Sequence, residues 1–167
     1  MWERTIDDMA KNDDFSTIYS PAKVDEILNK NPKPYYHKTA FRLIKHSHQK
    51  QITDADFYPS IMEYTGSGEM PSYEAQNRKT NLGLFGVSCF DTKEHLNSYL
   101  ESVTSLREQF ETENWFIVKG FVNRHLGFAD QILQSGPKIG HFNYFLFDPI
   151  NKNPKDDFND VELQNDD

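Results

Sequence analysis

The stretch LGLFGVSCFDTKEHLNSYLESVTSLREQF, residues 82–110, decides how the rest of the chain is read. Its first nine residues form an apolar run closed by Asn81 and Asp91, which is the length and composition of a buried strand, with Gly86 marking a bulge or a close backbone approach. The next twenty change period. Asp91 stands as an N-cap with Glu94 three residues on, and Leu96, Tyr99, Leu100, Val103, Leu106 and Phe110 recur along one face, so a single long amphipathic helix is expected. A strand feeding directly into a helix, in a chain of 167 residues, points to a domain with helices packed on a sheet.

Working outward, WFIVKGFV (115–122) is apolar at every other position on both faces and belongs in the middle of the sheet. GHFNYFLFDP (140–149) sets Phe142, Tyr144 and Leu146 against His141, Asn143, Phe145 and Phe147, and Pro149 ends it. Upstream, KTAFRLIK (38–45) puts Phe41 and Leu43 on one face and Ala40, Arg42 and Ile44 on the other, a further strand. Helices are expected at the N-terminus, the first on Trp2, Ile6 and Met9. A second follows, with Ser20 as N-cap, Pro21 in the first turn and Val24, Ile27 and Leu28 on one face. A short helix begins at Thr53, with Asp54 and Asp56 at its positive end. Residues 65–81, TGSGEMPSYEAQNRKTN, read as a long polar loop, and so do residues 121–140. The pattern as a whole is α+β: a mixed or antiparallel sheet of about four or five strands with helices packed on it. Residues 1–150 are expected to form one globular domain, and 151–167 an acidic, partly disordered tail.

Composition narrows the function classes. The net charge is −8, so phosphate backbones find no overall electrostatic match and nucleic acid is an unexpected partner. The exception is a basic island, residues 33–50, with Lys33, Lys38, Arg42, Lys45 and Lys50 and no acid. The single cysteine, Cys89, allows no internal disulfide and fits a reducing compartment, so the chain is expected to be cytoplasmic. The first residues have neither the basic nor the apolar region of a secretory signal, and no apolar run is long enough to span a membrane.

The candidate chemistry is scattered. His46 and His48, two apart, could share a metal if a strand ran through them, but no third ligand stands at a recognisable spacing, and a solvated strand end is the simpler expectation. Arg42, Ser88 and His141 are polar residues inside apolar strands, which must be paired or must line a cleft. His125, with Arg124 and Asp130, sits in the 121–140 loop, where side chains beside strands often shape a site. GVSCF lacks the final glycine of a nucleophile elbow, and TGSGEMPS is followed by no Lys-Ser/Thr, so neither a serine-hydrolase elbow nor a phosphate-binding loop is complete. Cys89 reads as a small core residue rather than a nucleophile. No cofactor is called for by any complete motif.

YHKTAFRLIK (36–45) and LFGVSCF (84–90) together resemble the first two signature strands of ADP-ribosyltransferase-like proteins. The resemblance implies a nicotinamide dinucleotide held by Arg42, at phosphate or ribose, and by Ser88 on the next strand. The family's catalytic glutamate has no counterpart, since no Glu occurs between Glu113 and Glu162, and only Asp130 or Gln131 stands near its place. Two functions are therefore carried forward. Aromatic residues make up 14% of the chain, more than one modest core needs, and with the acidic charge they suggest an interaction module. Such a module would be an inhibitor, immunity-type or accessory protein whose partner has a basic surface. The alternative is a nucleotide-using enzyme, ADP-ribosyltransferase-like or otherwise, with its site between the Arg42 and Ser88 strands.

Overall fold

A computed structural model gives the fold, and its described residues are 18–47, 51–64, 68–148 and 153–161. They form one sheet of six strands flanked by helices: β1 (Ala40–Ile44), β2 (Val87–Phe90), β3 (Phe116–Gly120), β4 (Gly127–Ala129), β5 (His141–Leu146) and β6 (Asn159–Asp160). The order across the sheet is β4-β5-β2-β1-β3-β6, and every pairing is antiparallel. The α+β class stands, but six strands replace the expected four or five. The additional ones are short: β4 has three residues and β6 two, below the length at which alternation carries information.

Strand alternation sorts the sheet into two unlike faces. On one, Ala40, Ile44, Val87, Cys89, Phe116, Val118, Phe142, Tyr144 and Leu146 make a continuous core, covered by Phe57 and Phe158. The other face carries two separate clusters. Phe41, Phe90 and Ile117 pack with Leu96, while Phe128 and Phe145 pack with Ile27, Leu28, Ile61, Met62 and Phe85. Between these clusters the face is polar.

Five α-helices lie among the described residues. The first, α1 (Pro21–Lys30), starts where the sequence places it, with the Ser20 side chain accepting from Lys23 N. The helix expected on Trp2, Ile6 and Met9 lies outside the described residues. The helix expected from Thr53 is a 3₁₀ turn, Asp54–Phe57, followed beyond Pro59 by α2 (Ser60–Tyr64). The 65–81 loop contains α3 (Tyr73–Arg78), capped by Ser72. Its Gln76 is buried and makes three bonds, accepting from Ser20 N and donating to the carbonyls of Ile18 and Pro71. The anchor of this helix is thus an amide, which no apolar pattern announces.

Residues 82–90 are not one strand. Leu82–Phe85 form a 3₁₀ turn whose Asn81 side chain accepts from Gly83 N, and β2 begins only at Val87. Gly86 is the close approach the sequence suggests, because a Cβ there would lie 3.0 Å from Asn143 Cβ. The long helix is also two, α4 (Lys93–Ser102) and α5 (Thr104–Thr112), broken at Val103. The Ser102 hydroxyl donates to the Tyr99 carbonyl at 2.6 Å, competing with the helix ladder in a run of hydroxyl and β-branched residues. The N-cap of α4 is Thr92, accepting from His95 N, in place of Asp91. In the acidic tail, residues 153–161 are folded onto the sheet: Phe158 is buried, and Asn159 and Asp160 pair with β3. No described helix is long and apolar enough to cross a membrane.

Candidate functional site

The polar strip between the two clusters is where β2 and β5 meet. Ser88 lies opposite Asn143, and Phe90 lies opposite His141, so Ser88 and His141 are diagonal neighbours on one face. Ser88 Oγ is 2.7 Å from His141 Nε2, and Gln134, from the β4–β5 loop, places its amide nitrogen 2.7 Å from His141 Nδ1. His141 is 7% exposed. Burial, and then the charge of Lys138, lower its pKa from 6.5 to about 4, so the imidazole is neutral at physiological pH. A neutral ring offers one donor and one acceptor, and Gln134, His141 and Ser88 therefore form a directional chain ending on a half-buried hydroxyl.

The backbone before β5 is shaped to seat this histidine. Gly140 has φ of +81°, and a Cβ there would run into the Asp91 carboxylate and the His95 ring. Those two side chains are themselves bonded at 2.6 Å, and Gly140 O accepts from Asp91 N. A side chain at Gly140 would push the start of β5 away from Ser88.

Asn143 continues the strip. Its backbone N and side-chain Nδ2 both donate to the Asp130 carboxylate, at 2.7 and 2.9 Å. Burial raises the Asp130 pKa, opposed by the two bonds from Asn143 and by His37. Asp130 in turn forms part of the wall of a cleft of about 500 Å³, within the range of small-molecule sites. Its lining also includes Lys30, Lys33 and Tyr35, the Asn81–Gly83 turn, and Gln131 and Leu133. Asn143 links the cleft to Ser88, since a Cβ on Gly83 would lie 3.2 Å from its Nδ2 while Ser88 is its partner across the strands.

The candidates read from the sequence divide accordingly. Ser88 and His141 are brought together. Arg42 comes near them only through the main chain: it shares a face with Ala40 and Ile44, opposite to Ser88, and its guanidinium donates to Asp56 O at 2.7 Å and Ser88 O at 2.9 Å. With Glu63 at 3.8 Å and the Phe57 ring at 5.8 Å, it fastens the Asp54–Phe57 turn to the sheet. His125 is exposed on the β3–β4 connection and lines a different groove. His46 Nε2 pairs with Asp56 Oδ1 at 2.7 Å, while His48 lies outside the described residues. Among the described residues no three His, Cys, Asp or Glu side chains come together as a metal site. Cys89 is buried on the face opposite His141, and burial pushes its thiol up to about 12. It therefore cannot use that imidazole as a base. Gln134 is the residue sequence reasoning missed, since an amide in a polar loop looks like any other. Asn143 was findable as a polar residue in an apolar strand.

No family model matches the chain, and neither a curated protein nor a solved structure shows significant similarity to it.

Proposed function

We propose that this chain is a nucleotide-using enzyme of the ADP-ribosyltransferase-like class, taking its ligand in the cleft lined by Asp130 and Gln131. The observation that carries this reading is the alignment of Ser88, His141, Asn143 and Asp130 along one polar strip whose last member, Asp130, lines a cleft. Asp130 and Gln131, the residues that stand in for the absent glutamate, both line it. Asp130 is the proton carrier in this proposal, because burial holds its carboxyl above the ordinary range. Ser88 and His141 stand behind Asn143, outside the cleft lining, and act in this proposal by positioning the strip that holds Asp130. Arg42 faces the other way, so Lys30 and Lys33 take the phosphate contact that the resemblance would give to it.

Thermal denaturation with NAD, ADP and ATP tests the idea. A ligand at 100 times its Kd adds about 2.7 kcal/mol to stability. Asp130→Asn should abolish turnover of a bound dinucleotide with little loss of binding. The absence of any stabilisation by all three nucleotides at millimolar concentration would sink the proposal.

The second reading, an inhibitor, immunity-type or accessory protein docking on a basic partner, is favoured by Leu133, 76% exposed, and Ile139, 43% exposed, on the same loop. The aromatic excess favours it less, because ten of the twelve described phenylalanines are buried. Ile139→Lys, outside the cleft lining, would abolish partner capture under this reading and leave nucleotide binding intact under the first.

A further inference from the structure

Tyr35 stands in the lining of the cleft with both its backbone and its ring held. An isolated antiparallel bridge ties it to the edge of β4: Tyr35 N donates to Ala129 O at 3.0 Å, and Tyr35 O accepts from Ala129 N at 2.9 Å. His37, two residues on, projects to the same side, and its ring lies parallel to that of Tyr35 at 5.9 Å and 10°. The His37 ring is itself fixed. It packs on Phe142 at 4.3 Å, and its Nε2 donates to Asp130 O at 2.9 Å. The Tyr35 ring is therefore braced by the residue that also anchors the backbone at Asp130.

Lys33, two residues before Tyr35, sets its ammonium over the same ring at 5.7 Å. Lys33 and Lys30 both line the cleft, and among the described residues neither pairs with a carboxylate. Lys33 is exposed, and a cation resting on an aromatic face in water is weakly held. A nucleotide base stacked on that ring, and a charge-assisted bond from the ammonium to phosphate, are each the stronger contact. One ligand carrying both groups satisfies the ring and the cation together.

We infer that Tyr35 is the ring platform of this cleft, taking the planar base of a nucleotide on the face that Lys33 now covers, while Lys33 moves onto the phosphate with Lys30. This role rests on the nucleotide reading of the cleft, to which it adds a residue that distinguishes a base-bearing phosphate from a bare one. Bridged and braced before any ligand arrives, the platform loses little freedom on binding. Leu82 and Phe145 contribute apolar lining to the same cleft, as sites for ring-bearing ligands require.

Titration of ¹⁵N-labelled protein with ADP and with pyrophosphate tests this, the amides of Asn81, Gly83 and Gln131 reporting occupancy of the cleft. In wild type the adenine H2 and H8 protons of bound ADP should move upfield in the ring current of Tyr35, a readout that needs no variant. Tyr35→Leu should weaken ADP at least about tenfold and leave pyrophosphate unchanged, which also shows that the variant is folded. Tyr35→Phe, which keeps the ring, should hold ADP within about twofold of wild type. Lys33→Gln should weaken both ligands. Cleft amides that stay still with ADP in wild type would remove the nucleotide reading and this role with it. Cleft amides that move while the adenine protons do not, or ADP bound equally by wild type and Tyr35→Leu, would overturn the platform alone.

Discussion

Acidification should destabilise this protein through one residue, His141. Its folded-state value of about 4 lies below the ordinary 6.5, because the ring is buried and faces Lys138. The unfolded chain therefore binds the additional proton between these values, and stability falls as pH drops through that window and is flat above it. Integrating the difference gives a loss of about 2 kcal/mol by pH 5 and about 3 kcal/mol by pH 4, relative to pH 7. Urea denaturation at several pH values measures it, with His141→Gln as the reference, because glutamine keeps partners for Ser88 and Gln134 but does not titrate. His95 and Asp91 lie beside Gly140 and are the same in both proteins, so any contribution of theirs cancels in the double difference. Wild type should lose the stated amount more than the variant, and the Cε1 proton of His141 should titrate near pH 4 by NMR. An NMR midpoint near the ordinary value, or parallel pH profiles for the two proteins, would refute the assignment of a buried neutral imidazole.

Cys89 should resist alkylation in native protein at mildly alkaline pH and react at once in denaturant, since its thiol is buried and pushed up to about 12; rapid labelling of the native state would contradict this. Gln76→Leu should cost at least about 2 kcal/mol in urea denaturation, because it leaves Ser20 N and the carbonyls of Ile18 and Pro71 without their partner. Gly140→Ala combines a left-handed backbone with a collision at Asp91, so a loss of more than about 2 kcal/mol is expected, together with a rise in the His141 NMR midpoint as the ring leaves its buried position. A fully stable variant with an unshifted midpoint would remove Gly140 from the account of the site.

What could be read from the sequence was whatever repeats with a fixed period over several residues. The alternation of Phe142, Tyr144 and Leu146 with His141, Asn143 and Phe145 puts the first three in the core and the others on the opposite face, as the pattern requires. Ser20 and Pro21 locate the start of α1 to the residue. The pattern fails where a contact replaces it. β6 consists of Asn159 and Asp160 and is held by the buried Phe158 on one side and Val161 on the other, isolated apolar residues in a polar tail. The break at Val103 depends on a hydroxyl competing for a carbonyl, and α3 depends on one amide. The site was half legible for the same reason. A polar residue in an apolar strand can be noticed, as Ser88 and His141 were, but which of several lies on which face depends on register. Arg42 differs from Ser88 only in that respect, and its guanidinium serves the opposite side of the sheet.

The polar strip supports the site proposed on this face. Ser88 and His141 occupy positions flanked by two apolar clusters, one around Phe41 and Phe90, the other around Phe128 and Phe145. Apolar side chains there would merge the clusters, and each would contribute about 1.5–3 kcal/mol by burial. The chain instead holds a neutral imidazole against desolvation, fixes it with an amide from a loop, and shapes Gly140 to admit it. A carboxylate raised by burial and bonded twice to Asn143 lies at the end of the same strip. Buried polar networks of this kind cost more than the apolar alternative when any member lacks a partner. Their concentration along one line whose last member lines the cleft, while the opposite face is mostly apolar, with Arg42 paired on it and Asp160 buried at its β6 edge, is the arrangement the proposed site would need.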